Sequence, residues 1–212
     1  MNGRQALVHQ RIILFGTGAL FSTAVLDQLL ANGLKPDALV LPGFTPSRLN
    51  GLADIPVDSG GKDNRFVSAA KQLSISLIYL PESSQTSQAR AIAGVKADFI
   101  LVACWPYLLV TEIVNSVEKA ALNLHPSLLP DYRGADPVIA QIASREKNLG
   151  VSLHLLSQKF DCGDIICQAS LKFETRFPGR DLIETQAARV GTRLFIQAIK
   201  DFGSPDWKPR PQ

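Results

Sequence analysis

The sequence predicts an α/β fold, a mostly parallel twisted sheet with helices on both faces. Three observations carry this. Short apolar, β-branched runs alternate with stretches of helical spacing along most of the chain. Two of the runs, RIILFG (11–16) and ADFILVACW (97–105), are apolar nearly throughout and read as buried strands. The chain has 212 residues, 46% hydrophobic and 19% charged, an ordinary globular composition that can bury one sizeable core.

The elements follow in order. RIILFG is a strand ending in glycine. ALFSTAVLDQLLANG has helical spacing and stops at Asn32-Gly33, a good C-cap. PDALVLPG (36–43) is a second strand. Residues 43–63 are rich in Gly, Pro, Ser and Asp and read as a long loop. NRFVSAAKQL reads as a short helix, ISLIYL as a third strand, and SSQTSQARAIAG as a helix with serines at its start. ADFILVACW is followed by a helical stretch to Lys119, then by the short strand ALNLH. Asp136 and Pro137 mark a helix start, cap residue first and proline in the first turn, and that helix is expected to run to about Lys147. GVSLHLLS and DIICQASLKF read as paired strands joined by the tight turn QKFDCG. Ile183, Ala187, Val190, Leu194 and Ala198 share one face of a last helix. FGSPDWKPRPQ is a proline-rich, extended exit. Residues 1–10 are expected to be a flexible N-terminus, 11–203 a single catalytic domain and 204–212 a proline-rich tail.

Net charge is +3 and is spread out, so it allows an anionic partner without arguing for one. No apolar run is long enough for a bilayer, and the first ten residues lack a signal peptide's apolar core. Cys104, Cys162 and Cys167 are too few and too oddly counted for a disulfide scaffold. The expectation is a soluble, cytoplasmic protein with no membrane partner. Cys162, Cys167 and His154 lack an evident fourth zinc ligand, so buried thiols and no metal are expected.

GTGALF (16–21) follows a strand and opens a helix, as a dinucleotide fingerprint does. Phe21 stands where the third glycine belongs, and the second strand carries no terminal acid for a ribose. The glycines serve the turn, and Gly16, Thr17 and Gly18 remain candidates for an anionic substrate group at the helix N-terminus.

LNLHPSLLPDYRGADP carries more. Asn123 and His125 differ by two, so on a strand they point to one face. Strand ends are where α/β sheets place their chemistry. Pro126 and Pro130 stiffen the segment that follows, and Arg133-Gly134 adds a positive charge beside a flexible joint. FDCGD (160–164) places Asp161 on a turn. Folded toward the strand end, its carboxylate orients the imidazole. An amide can donate to a developing oxyanion, and an imidazole with an ordinary pKa near ~6.5 exchanges protons at neutral pH. No nucleophile is required, which suits direct transfer of an acyl group to an amine. Ser127 lacks the elbow motif of a serine hydrolase. His154 sits on a strand near Asp161 and is a candidate for the acceptor side.

LNLHPSLLPDYRGADP together with LGVSLHLLSQKFDCGDII closely resembles the folate-dependent formyltransferases, specifically over 97–170 and collinearly from Arg11. The resemblance implies a Rossmann-like formyltransferase fold and 10-formyltetrahydrofolate as co-substrate. It makes Asn123, His125 and Asp161 the catalytic trio. It places the pterin between Trp105, Tyr107, Leu108 and Leu109 on one side and Lys159 and Phe160 on the other. It implies attack of an acceptor amine on the formyl carbon, with Asn123 and protonated His125 holding the oxyanion and Asp161 orienting His125. HPSLLPDYRGADP and FGTGALF look most like the members that act on methionyl-tRNA, so charged initiator tRNA is among the expected partners. The chain reaches Gln212 where those members add a tRNA-binding domain, and Arg48 and Lys62 are thin support for gripping tRNA. A small amine, such as an amino sugar or amino acid derivative, is therefore a rival acceptor, and water, giving a formyltetrahydrofolate hydrolase, is another. Arg133 is a candidate contact to the acceptor.

Overall fold

The computed structural model describes residues 10–43 and 64–212. The expected flexible N-terminus (all but Gln10), the expected loop after Gly43, and Arg48 and Lys62 lie outside the described residues. The described chain forms β1 (Ile12–Gly16), α1 (Leu20–Ala31), β2 (Ala38–Pro42), α2 (Arg65–Leu73), β3 (Ser76–Leu80), α3 (Gln85–Gly94), β4 (Phe99–Ala103), α4 (Thr111–Val114), β5 (Ala120–His125), α5 (Pro137–Ala143), β6 (Gly150–Leu155), β7 (Ile165–Ser170) and α6 (Arg180–Asp201).

The strands make one sheet in the order β3-β2-β1-β4-β5-β6-β7. The first five run parallel, while β6 and β7 pair antiparallel at one edge. Alternate side chains of the central strands feed two separate cores. Ile12, Leu14, Phe99 and Leu101 pack under α1, α2 and α6. Ile13, Phe15, Ile100 and Val102 pack under α3 and α4. β1 and β4 are buried at every position, which is why their sequences are apolar without alternation. Strand order reverses at β1, whose neighbours are β2 and β4. The crevice outside the carboxyl ends of β1 and β4 is where such sheets bind ligands. Among the described residues no helix is long and apolar enough to cross a membrane.

Two elements depart from expectation and two are fuller than expected. The helix expected up to Lys119 is the single turn α4. Beyond it the backbones of Glu118 and Lys119 bond to Ala97 and Asp98, drawing the chain into the sheet as β5. α5 stops at Ala143 because Arg145 is left-handed and the Glu146 carboxylate accepts from the Lys147 and Asn148 N–H groups. Ile183, Ala187 and Ala198 of α6 are buried, Val190 and Leu194 pack half-buried against the same core, and the stripe also takes in Glu184, Ala188, Gly191, Thr192 and Phe195. Gly191 lets α6 lie against Leu124 and Val151, so small residues widen the face that apolar counting marks. The proline-rich segment after α6 bridges to the sheet edge. Arg210 exchanges both backbone hydrogen bonds with Ile165 of β7, at 2.8 and 2.9 Å.

Candidate functional site

β5 carries Ala121, Asn123 and His125 on one face. Its antiparallel partner β6 sets His154 directly opposite Asn123. The chain between β6 and β7 then folds back and brings Asp161 to both. Asp161 is left-handed, φ 52°, a conformation that aspartate tolerates better than most residues. Gly163 follows because a Cβ there would overlap the Leu155 carbonyl. Asn123, His125 and Asp161, far apart in sequence, thus meet at one wall of a cavity of about 360 Å³.

The hydrogen bonds fix the chemistry of this wall. Asn123 Nδ2 lies 3.2 Å from Asp161 Oδ1 and 3.0 Å from His154 Nε2. A carboxylate only accepts, so the amide presents N–H to it. His154 Nδ1 lies 2.8 Å from the Leu155 carbonyl and must donate to it. His154 Nε2 is then the acceptor for the second Asn123 N–H. Both amide hydrogens of Asn123 are engaged, leaving its Oδ1.

His125 is 4% exposed. Its Nε2–H donates to the Tyr132 carbonyl at 2.8 Å, and its Nδ1 faces Asp161 Oδ1 at 3.4 Å. Burial holds this imidazole below its ordinary pKa of 6.5, against the raising effects of the Asp161 charge and the Tyr132 carbonyl. Nδ1 is therefore an unprotonated base at neutral pH with a carboxylate behind it. Burial raises the Asp161 carboxyl. Contact with the His154 ring, the charge of protonated His125 and the Gly134 N–H outweigh it and hold the group below 3.8. That N–H donates to Asp161 Oδ2 at 2.9 Å.

The segment after His125 is rigid. Gln141 donates to the Pro126 carbonyl, Ser152 to the Ser127 carbonyl, and Gln168 to the Leu129 carbonyl. Ser127 is fully buried and donates its hydroxyl to the Asp131 carbonyl, so it has no free nucleophilic oxygen.

Trp105, Tyr107, Leu108, Leu109, Lys159 and Phe160 line the cavity, as do Val102 and Leu156. Trp105 stacks edge-on against Phe15, and its indole N–H is buried without a partner. Gln85, which sequence reasoning missed, holds this wall. It donates to the Leu108 carbonyl at 2.9 Å and accepts from the Val110 N–H at 3.1 Å. The lining also includes Ala19, Phe21, Asp136, Arg180 and Glu184. Arg180 pairs with Glu184 at 2.6 Å and approaches Asp136 at 3.6 Å. Nothing in the sequence marked Arg180 or Glu184.

His154 lies on the cavity wall. Gly16, Thr17 and Gly18 do not line it. Thr17 is buried and bonds to Cys104, while Gly18, φ 83°, packs against the Asn64 side chain. Arg133 also lies off the cavity, donating to the Asp161 carbonyl and to Gln212. The three cysteines are free. Burial raises the Cys104 thiol and, to about 11, that of Cys167, so neither is a ready thiolate.

The chain is similar to known proteins in sequence and in fold. A methionyl-tRNA formyltransferase from Protochlamydia amoebophila is 30% identical over 193 residues, which are 91% of this chain and 57% of that protein. The chain therefore spans little more than half the length of that curated relative. A glycinamide ribonucleotide transformylase from Symbiobacterium toebii superposes with a TM-score of 0.65 at 18% identity, covering 92% of this chain and 89% of that one. A formyltetrahydrofolate deformylase from Pseudomonas syringae does so with a TM-score of 0.67 at 15% identity, over 90% of this chain and 61% of that one. These two likenesses show the fold. The family model described as formyl transferase matches residues 10–199, and with nine-tenths of the sequence inside that match the chain belongs to the formyl transferase family.

Proposed function

We propose that this chain transfers a formyl group from 10-formyltetrahydrofolate to an acceptor amine, with residues 11–203 as its catalytic unit. One observation carries the reading. Asn123, His125 and Asp161 converge on a cavity that is also lined by apolar and aromatic side chains. Trp105 through Leu109, with Lys159 and Phe160, suit a flat heterocycle, and the unpartnered Trp105 N–H offers it a donor. When bound, the donor supplies an activated formyl carbon.

The residues divide the work as follows. His125 Nδ1 takes the proton that the attacking amine must lose, Asp161 stabilises the imidazolium so formed, and the same proton would pass to the folate nitrogen as its bond to the formyl carbon breaks and tetrahydrofolate leaves. Until then protonated His125 is the cation nearest the developing negative charge. The Asn123 amide reaches that charge once an N–H is released from His154 or Asp161. No metal ligand set is needed for these steps.

The curated relative's name puts the amine of methionyl-tRNA first among acceptors. A small hydroxylated amine is the second reading. It is favoured by the Asp136–Arg180–Glu184 cluster, whose carboxylates and guanidinium offer hydroxyl groups both acceptors and donors. The experiment is mass spectrometry of methionyl-tRNA, an amino-sugar panel and a metabolite extract incubated with protein and 10-formyltetrahydrofolate. A formyl adduct on one amine supports the reading and names the acceptor. Consumption of the donor without an adduct supports hydrolysis instead, and no consumption refutes formyl transfer.

A further inference from the structure

The loop that carries Asp161 lies between two strands and is held from outside by a distant part of the chain. After α6 the segment 204–212 turns back along β7, the edge strand of the sheet, and the Arg210–Ile165 bridge locks it there. This delivers Gln212 to the far side of the Asp161 loop. Its amide does two things at once. Nε2 donates to the Gly163 carbonyl, and Oε1 accepts from Arg133 Nη2 at 2.7 Å and Nε at 3.2 Å. Arg133 Nε also reaches the Asp161 carbonyl at 3.1 Å, and the next residue, Gly134, donates its N–H to Asp161 Oδ2. One side-chain amide thus joins the 132–134 segment to the 161–163 segment.

The loop has reason to need this. Asp161 is left-handed, which costs a non-glycine residue about 1 kcal/mol. Its carboxylate must stay between His125 and Asn123 although no ladder hydrogen bond holds residues 161–163 in the sheet. We propose that Gln212 is a positioning residue for Asp161, and that the segment 204–212 is a strap that sets the carboxylate against His125 by clamping Arg133 to Gly163. Placement of Asp161 matters for catalysis only under the formyl-transfer reading, but the clamp itself does not depend on it.

The test compares wild type with Gln212→Ala and Gln212→Glu in the full chain. Two readouts need no substrate: hydrogen exchange of residues 160–164 and 133–134, and the NMR titration of His125. In Gln212→Ala exchange should quicken in both segments, and the His125 midpoint should fall as the Asp161 charge that raises it drifts away. The melting temperature should barely change. Glutamate keeps the acceptor for Arg133 but loses the donor to Gly163, so Gln212→Glu should fall between the other two. With donor and acceptor present, Gln212→Ala should lose roughly 10- to 100-fold in kcat with the folate KM unchanged, the size expected for a misplaced catalytic group. Unchanged exchange and an unchanged His125 midpoint overturn the proposal, whatever the activity. No formyl transfer by wild type counts against the proposed reaction alone and leaves the exchange and titration to decide the strap.

Discussion

His154 faces Asn123 across the β5–β6 ladder, and its Nε2 accepts an N–H from the Asn123 amide at 3.0 Å. This contact decides how the amide is turned. Without His154 one buried N–H loses its acceptor and the amide can rotate away from Asp161. We expect His154→Ala to lower kcat about 3- to 10-fold, the worth of one ordinary hydrogen bond, with little change in the folate KM. His154→Gln, whose side-chain oxygen can accept the same N–H, should recover part of the loss. Steady-state kinetics of both variants against wild type check this. Equal kcat in all three would show that Asn123 is held without His154.

The pH dependence follows from the two shifted groups. His125 acts as a base only when neutral, and burial keeps its pKa below 6.5 in the fold. The acid limb of kcat/KM should therefore lie below 6.5 and activity should be flat across neutrality. Asp161→Asn removes a charge that raises the His125 pKa, so the limb should move to still lower pH. Turnover should meanwhile fall by about 10²- to 10⁴-fold as the imidazolium loses its carboxylate. Stability has the same sign at both groups, because each has a folded pKa below its unfolded one. The stability that each contributes is present above its unfolded value and is lost as pH falls through its folded value. Urea midpoints should drop on acidification, first for His125 and at lower pH for Asp161. A limb above 6.5 in wild type, or one that rises in Asp161→Asn, would contradict this electrostatic picture.

What could be read in the sequence is what local periodicity encodes. Asn123 and His125 stand two apart on a strand, so their shared face follows from the pleat alone. Asp161 was visible through FDCGD, because the glycine that permits the close approach to Leu155 stands beside the carboxylate. Buried strands declared themselves by unbroken apolar runs. The unread parts depend on partners remote in sequence. Gln212 meets Arg133 across 79 residues and Gln85 meets Val110 across 25, and neither pair leaves a periodic trace. The α6 face was read only in part for a related reason. Gly191 is buried because α6 approaches Leu124, and a glycine counts for nothing on an apolar scale. Gly16, Thr17 and Gly18 lie off the cavity, and at Gly18 the missing side chain leaves room for Asn64 to pack close.

Gln85 gives the last test, because it isolates the proposed folate wall from the reacting groups. It is 3% exposed and ties the Leu108 carbonyl and the Val110 N–H to the start of α3. The wall from Trp105 to Leu109 has little regular structure of its own to hold it, since α4 begins only at Thr111. Gln85→Ala removes both bonds at about 0.5–1.5 kcal/mol each and frees the loop. If this wall holds the pterin, the folate KM should rise about 5- to 50-fold while kcat on saturating donor stays within about twofold, the pattern of lost uniform binding. Gln85→Glu keeps the acceptor for Val110 but not the donor to Leu108, and should fall between wild type and Gln85→Ala. Titration of the folate with each variant by tryptophan fluorescence reads the same loss without turnover, because Trp105 lies on the wall itself. An unchanged KM and Kd in Gln85→Ala would place the pterin elsewhere in the cavity, and a fall in kcat alone would mean that this wall positions the reacting groups rather than the donor.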